Sequence, residues 1–213
     1  MKKFFYSLLV VSIMVSGCAP TIYVAPNFEQ VRKKHKTVGI LPFDVLITAK
    51  KLPKGMTQEM VNEKQKSTGF SIQSNAYTYF LKKQGADKYT VEFQDVDKTN
   101  SLLAKAGITY DNIKSKGKDE LAALLGVDAV ISGKATMQQP MSEAGAIVVG
   151  LLVGAWGNTN KVDVSMTIHD KNDGKLLWKY DYEASGSVGS SPENLTKQLM
   201  YNVAKKFPYK KTK

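Results

Sequence analysis

Cysteine is almost missing from this chain of 213 residues, in which Cys18 is the single example. One cysteine excludes an internal disulfide and a cluster of thiolate ligands around a metal. Histidine is nearly as rare, since only His35 and His169 occur. With so few nucleophiles, bases and soft ligands, we expect no metal site and no bound cofactor.

Catalytic motifs are missing as well. The chain has no glycine-rich phosphate loop with its lysine and hydroxyl, and no Gly-x-Ser-x-Gly elbow. Residues 170–174 lack the spacing and the final glutamate of a calcium loop, so they predict a turn. His35 belongs to a basic run and His169 to the polar side of a strand, so surface positions are expected for both. We predict that the protein is not an enzyme; the alternative is a cell-envelope hydrolase whose site the sequence does not reveal.

Negative charge is in short supply. The chain has 30 lysines and arginines against 19 acidic residues, which gives a formal net charge of +11. Such an excess suits nucleic acid, anionic lipid headgroups, cell-wall polymers or an acidic protein. The N-terminus indicates export, so we expect no nucleic acid among the partners.

The pattern of a lipoprotein signal is present at the N-terminus. Lys2 and Lys3 precede the mainly apolar residues 4–15, a stretch too short to span a membrane. A branched apolar residue, two small residues and a cysteine follow, and they look like a bacterial lipobox: Val15, Ser16, Gly17 and Cys18. We predict a signal peptide over residues 1–17, cleavage before Cys18, and covalent lipid, including palmitate, on that cysteine.

Residues 18–36 are predicted to form a lipidated tether ahead of a domain over residues 37–213. They contain two prolines and end in a basic run, and fully extended they would reach ~60 Å. The basic run is expected to rest on anionic headgroups. Ala19 stands where, in some bacteria, an aspartate retains a lipoprotein at the inner membrane. We therefore expect the periplasmic side of the outer membrane, with the inner membrane as the alternative.

Alternating strand and helix patterns after residue 36 predict one α/β domain. Short apolar runs predict buried strands over residues 37–43 and 128–133, and alternation predicts a strand over residues 90–93. Apolar residues at helical spacing predict helices over residues 72–80, 102–106 and 121–125. The polar residues 50–69, with their proline and glycines, predict a loop with a helical turn.

The most regular pattern lies near the C-terminus. Residues 162–168 and 176–182 alternate between apolar and polar side chains, and the turn-forming residues 170–174 join them. Ser191 and Pro192 then begin a helix, whose apolar stripe is Leu195, Leu199, Val203 and Phe207. We predict a β-hairpin followed by a helix.

Three of these segments together resemble a known group of bacterial lipoproteins: residues 38–43 behind the lipobox, residues 125–133 and residues 173–178. The group includes the curli secretion channel, the lipoprotein activator of penicillin-binding proteins, and outer-membrane lipoproteins without an assigned function. The resemblance covers residues 37 to 207 and implies one α/β domain, with helices packed on a mixed sheet. Its motifs are strand and turn patterns, so they imply fold more than activity. The long tether of the activators is missing here.

One segment, residues 144–160, stands apart because it has no charge. Within it, Ala146, Gly150 and Gly154 recur every four residues and would form a small-residue face on a helix, with Trp156 close behind. Three interpretations stay open, namely a part of the core, a partner or self-association surface, and a membrane-inserted segment. The segment is short for a spanning helix and does not alternate as a pore strand would.

From these patterns we expect a membrane-anchored, periplasm-facing lipoprotein. We expect it to bind or assemble with another component of the cell envelope, or with itself. The alternative that the resemblance implies is a subunit of an oligomeric secretion pore similar to the curli channel.

Overall fold

Seven strands carry the fold in the computed structural model, which describes residues 21–48, 55–138, 161–185 and 192–211. The strands are β1 (Thr21–Val24), β2 (Thr37–Ile40), β3 (Asp44–Thr48), β4 (Glu92–Phe93), β5 (Ala129–Gln138), β6 (Lys161–Asp170) and β7 (Leu176–Ser185). They form one mixed sheet in the order β1-β7-β6-β5-β2-β4, with β3 beside β5.

Five α-helices of the described residues complete the domain: α1 (Phe28–Arg32), α2 (Gln58–Gln84), α3 (Val96–Lys105), α4 (Lys118–Leu125) and α5 (Pro192–Lys206). A 3-10 helix, Ile113–Ser115, precedes α4. The predicted α/β class is confirmed, as are the mixed sheet and the C-terminal hairpin followed by a helix. None of the described helices is both long enough and apolar enough to cross a membrane.

The β6–β7 hairpin follows the predicted alternation. Every second residue of β6 is buried, namely Val162, Val164, Met166 and Ile168. The antiparallel register shifts between Ile168 and His169, which leaves Leu177 as an extra residue on β7. Because of this bulge, both Leu177 and Trp178 are buried.

Strand β5 has two successive partners on its other edge. Its first residues pair in parallel with β2, and its later residues pair in parallel with β3. Pro42 lies between these two partners, where a residue without an N–H costs no ladder hydrogen bond. The break directs the ring of Phe43 onto Gly133, where an added Cβ would come within 2.1 Å of the ring.

Helices α2 and α5 pack on one face of the sheet, which we call the covered face. The core beneath them contains an aromatic cluster of Phe80, Tyr89, Phe93 and Phe207. Phe80 and Phe93 stack with ring centroids 4.4 Å apart, and the centroid of Phe207 lies 4.8 Å from that of Phe80. This face therefore holds the buried aromatic rings of the core, each of which removes a large apolar area from water.

Helix α2 begins at residue 58, so the loop predicted over residues 50–69 is wrong from there onward. Thr57 caps the helix, since its side chain accepts the N–H of Met60 at 3.2 Å. Gly69 lies inside the helix, and a Cβ there would lie 2.3 Å from the carbonyl oxygen of Phe43. The glycine therefore serves a close contact between helix and chain, which sequence patterns do not distinguish from a turn.

The described fold begins at Thr21, which corrects the predicted domain boundary at residue 37. Strand β1 pairs antiparallel with β7, and Phe28 of α1 is only 1% exposed. The guanidinium of Arg32 donates to the carbonyl of Pro208 at 3.2 Å. Local sequence patterns do not reveal this part of the fold, because residues 21–36 make their contacts with the far end of the chain.

Candidate functional site

The second face of the sheet is covered over only part of its area. Helices α3 and α4 pack on it around a small apolar core that includes Leu41, Leu103, Leu121, Leu125 and Val130. Beyond Val130, the side chains of β5, β6 and β7 that alternate onto this face are polar: Ser132, Lys134, Thr136, Asp163, Ser165, Thr167, Lys179, Asp181 and Glu183. Each of them is half-buried or exposed. We call this set the open face.

A cleft of about 200 Å³ lies where the open face meets α4. Three lysines line it from three different elements: Lys114 of the 3-10 helix, Lys118 of α4 and Lys134 of β5. The rest of the wall combines one carboxylate and three hydroxyls with apolar groups, namely Asp44, Ser132, Ser165, Thr167, Leu41, Pro42 and Ile113. We call it the lysine cleft.

Two glycines bring α4 to this cleft. Gly126 ends the helix in the left-handed region, at a φ of 67°. Gly174, at a φ of 63°, lies in the hairpin turn, and a Cβ there would come within 3.0 Å of Oδ1 of Asp119. The hairpin turn and the first turn of α4 are therefore in close contact, which sets Lys118 beside the open face.

The lysine cleft holds positive charge without contact partners. Burial lowers the pKa of Lys118, and the nearby Asp44 opposes this effect. Within the described ranges, no carboxylate lies within 4.0 Å of the amines of Lys114, Lys118 or Lys134. Other cations of the domain do form such pairs, among them Lys116–Glu120 at 3.4 Å and Lys175–Asp173 at 2.7 Å.

His169 lies beside the cleft on β6 and is half-buried, which corrects the predicted surface position. Its Nδ1 lies 3.0 Å from the carbonyl oxygen of Gly174, so Nδ1 carries the hydrogen and donates it. Burial lowers the pKa of His169; the hydrogen bond to Gly174 opposes this, and the charge of Lys118 adds to it. The ring is therefore neutral at pH 7, with Nε2 as an acceptor.

A larger trough of about 500 Å³ adjoins the lysine cleft, and it is lined by residues of the open face and also by Thr21, Tyr182 and Asn202. Lys134 and Ser165 line both spaces, so the two are continuous. The trough adds the carboxylates of Asp163, Asp181 and Glu183. Charges of both signs therefore lie together on the open face, and Lys179 pairs with Asp181 there at 2.9 Å.

A buried polar network on the covered side corrects the tether position that was predicted for His35. Its Nδ1 lies 2.5 Å from the hydroxyl of Tyr209, and its Nε2 lies 3.1 Å from Oδ1 of Asp170. His35 and Asp170 are each 6% exposed and Tyr209 is fully buried. Since the three groups satisfy one another, the network joins the N-terminal segment, the hairpin and the C-terminus, and we assign it a structural role.

The site residues predicted from the sequence lie outside the described residues. These are the lipobox, Val15, Ser16 and Gly17, the lipidated Cys18, and the interaction surface of Ala146, Gly150, Gly154 and Trp156. In chain order, the apolar segment falls between β5 and β6, whose ends Gln138 and Lys161 are paired with each other.

No protein-family model and no curated protein matches the sequence. Solved structures with a similar fold include the lipoprotein GNA1162 from Neisseria meningitidis, with 14% identity, a TM-score of 0.40 and coverage of 80% of this chain and 94% of that one. The PelC dodecamer from Paraburkholderia phytofirmans has 13% identity and a TM-score of 0.39, over 87% of this chain and 93% of that one. The LpoB C-terminal domain from Escherichia coli has 11% identity and a TM-score of 0.35, over 74% and 94%. No residue role is carried over from them.

The lysine cleft is absent from the sequence-based prediction because its parts are far apart in the chain. Lys134 lies on β5, Lys118 is the first residue of α4, and Lys114 lies in the 3-10 helix before α4. The available signal was a lysine at a polar position of a mostly apolar strand. That signal becomes informative only when the helix beside the strand is known.

Proposed function

We propose that this chain is a lipoprotein anchored through Cys18 at the periplasmic side of the outer membrane, and that it binds a protein of the cell envelope through the open face. The observation that carries this proposal is a polar sheet surface with charges of both signs, which α3 and α4 leave uncovered. Its carboxylates, lysines and hydroxyls are spread over three strands and do not converge on one reacting atom. We therefore propose a binding role rather than a catalytic one.

The dimensions of the open face indicate how a partner would use it. Three strands at ~4.8 Å spacing and about six residues at ~3.3 Å each give only about 300 Å². A stable interface buries about 800 Å² on each side. A partner would therefore also contact neighbouring surface, and the β1 edge offers Ile22, Tyr23 and Val24 at 37%, 45% and 50% exposure.

The early start of the fold supports a partner close to the membrane. Thr21 follows Cys18 by three residues, so the two Cα atoms are at most ~11 Å apart. The tether expected from the sequence would have allowed ~60 Å. With lipid on Cys18, the domain would be held directly at the membrane surface.

Two experiments test the anchor and the face separately. Labelled palmitate should enter the wild type and not Cys18→Ser; incorporation into both would exclude Cys18 as the anchor. A photocrosslinking residue at Thr136 should capture an envelope protein from intact cells, whereas the same residue at Lys82, on the exposed side of α2, should not. Equal capture at both positions would exclude the open face as the binding surface.

Self-association through residues 144–160 is a second candidate, because these residues fall between β5 and β6, two strands that line the trough. In Gly150→Asp, an unpaired charge would lie in the small-residue row, where two backbones would have to approach. We expect this variant to lower the oligomeric state in sedimentation and to keep the melting temperature. Loss of the fold at an unchanged oligomeric state would instead place these residues in the core.

A further inference from the structure

The three lysines of the lysine cleft line the same space although they come from separate elements. Lys114, Lys118 and Lys134 belong to a 3-10 helix, an α-helix and a strand. Like charges held together weaken a fold unless an opposite charge offsets them. Within the described residues, their amines have no carboxylate in contact. The cleft is therefore electrostatically suited to an anion that comes from outside the chain.

We propose that the lysine cleft binds a phosphate group, either as inorganic phosphate or as the phosphate of an ester such as a lipid headgroup. A phosphate carries enough charge and enough acceptor oxygens to contact several ammonium groups at once. The proposal goes beyond the function given above, because it requires neither the lipid anchor nor the protein partner.

The apolar part of the cleft strengthens this preference for an anion. Leu41, Pro42 and Ile113 line it beside the lysines. Apolar walls exclude water and lower the local dielectric constant, so a contact between an ammonium and a phosphate gains more there than on an open surface. The same burial lowers the pKa of Lys118, and a bound anion would oppose this effect.

The cleft also contains one group that opposes an anion. Asp44 lies on β3 directly opposite Lys134 of β5 and lines the cleft. Its carboxylate would repel a phosphate, so the three lysines act against one negative charge. Removing that charge should tighten binding, a result that is not expected if lysines attract anions non-specifically wherever they occur on the surface.

The volume limits what can be bound. At about 200 Å³, the cleft is smaller than the roughly 300 to 1,000 Å³ of sites that enclose a whole drug-sized ligand. It accommodates a phosphate and the atoms next to it, while the rest of a larger molecule would extend along the open face. Ser132 and Thr167, whose hydroxyl oxygens are 2.8 Å apart, also line the cleft.

The first test measures inorganic phosphate binding to the full chain in a non-ionic detergent, by isothermal titration in chloride buffer. We expect Lys118→Gln and Lys134→Gln each to weaken binding by about tenfold. Lys82→Gln on α2 is the matched control and should bind as the wild type does. Asp44→Asn should bind several times more tightly. Equal affinities for wild type, Lys118→Gln and Lys134→Gln, with unchanged circular dichroism, would overturn the proposal.

The second test identifies the source of the phosphate. The lipidated protein is placed in a phosphate-free non-ionic detergent with or without phosphatidylglycerol, and acetylation of Lys118 relative to Lys82 is followed by mass spectrometry. Slower acetylation of Lys118 with phosphatidylglycerol alone would support a lipid headgroup, and slowing only on addition of inorganic phosphate would support the free ion. If neither addition slows Lys118 relative to Lys82, the cleft does not bind phosphate.

Discussion

The covered face and the open face are made by alternate residues of the same strands, and they differ in what holds their side chains. On β6, Val164 and Met166 are buried under α2 and α5, whereas Ser165 and Thr167 between them remain half-buried. The covered face is stabilised by apolar and aromatic contacts, and the open face carries charges and hydroxyls. The comparison indicates that stability and binding depend on opposite sides of one sheet.

The same comparison predicts how substitutions should behave. A change on the covered face removes contacts that the fold needs, so it should appear in the free energy of unfolding. A change on the open face should leave the free energy of unfolding nearly unchanged and should alter binding or titration.

The largest effect is expected in the aromatic cluster. Phe80 is fully buried and contacts the rings of Tyr89, Phe93 and Phe207. Phe80→Ala should lower the free energy of unfolding by about 3 to 5 kcal/mol, because it removes apolar area and leaves a cavity. Urea unfolding measures the change. Leu81→Ala serves as the control, because Leu81 is 41% exposed. Similar losses at both positions would contradict the assignment of Phe80 to the core.

A somewhat smaller loss of stability is expected at Gly133, the residue of β5 that lies against the ring of Phe43. A Cβ at this position would come within 2.1 Å of the Phe43 ring, so Gly133→Ala should cost roughly 1 to 3 kcal/mol through overpacking. Gly85→Ala is the control, because its Cβ would meet nothing closer than 3.5 Å. Thermal unfolding compares the two. An unchanged melting temperature for Gly133→Ala would show that Phe43 does not pack on the glycine.

The buried network should give a loss of about 1 to 3 kcal/mol. In Tyr209→Phe, the Nδ1 of His35 would lose its hydroxyl partner while remaining buried. Tyr201, which is 57% exposed, supplies the control variant Tyr201→Phe. Denaturant unfolding should separate the two variants. If Tyr209→Phe is as stable as the wild type, the network does not join the two ends of the chain.

The smallest effect belongs to the open face and concerns titration. Lys118→Gln should raise the pKa of His169, because it removes a positive charge that lowers this pKa in the wild type. The chemical shifts of the imidazole, followed by NMR against pH, measure the change, and Lys82→Gln should leave them unchanged. No difference between the two variants would mean that Lys118 does not face His169.

The lowered pKa of His169 also gives stability a definite pH dependence. The unfolded chain titrates near 6.5 and binds a proton at a pH where folded His169 does not. The contribution of His169 to stability is therefore fully present above the unfolded pKa and is lost as the pH falls toward the folded pKa. His169→Gln should remove this part of the slope.

Local patterns were sufficient for much of the covered face. The alternation in β6, the turn at residues 170–174 and the apolar stripe of α5 each depend on spacing within about fifteen residues. When every second side chain of a strand is buried, or one stripe of a helix, the apolar residues recur at a regular spacing. That spacing is visible in the sequence. The class of the fold follows from the order of such segments.

Contacts between distant residues decided the rest. Gly69 lies inside a helix at a point where Phe43 and Tyr110 approach it closely. His35 is buried, and its ring nitrogens lie within hydrogen-bond distance of Tyr209 and Asp170. The sequence by itself determined five of the seven described strands, the hairpin and the excess of positive charge. Only the tertiary structure decided that three of those charges share one cleft, because electrostatic interaction depends on distance in space and not on separation along the chain.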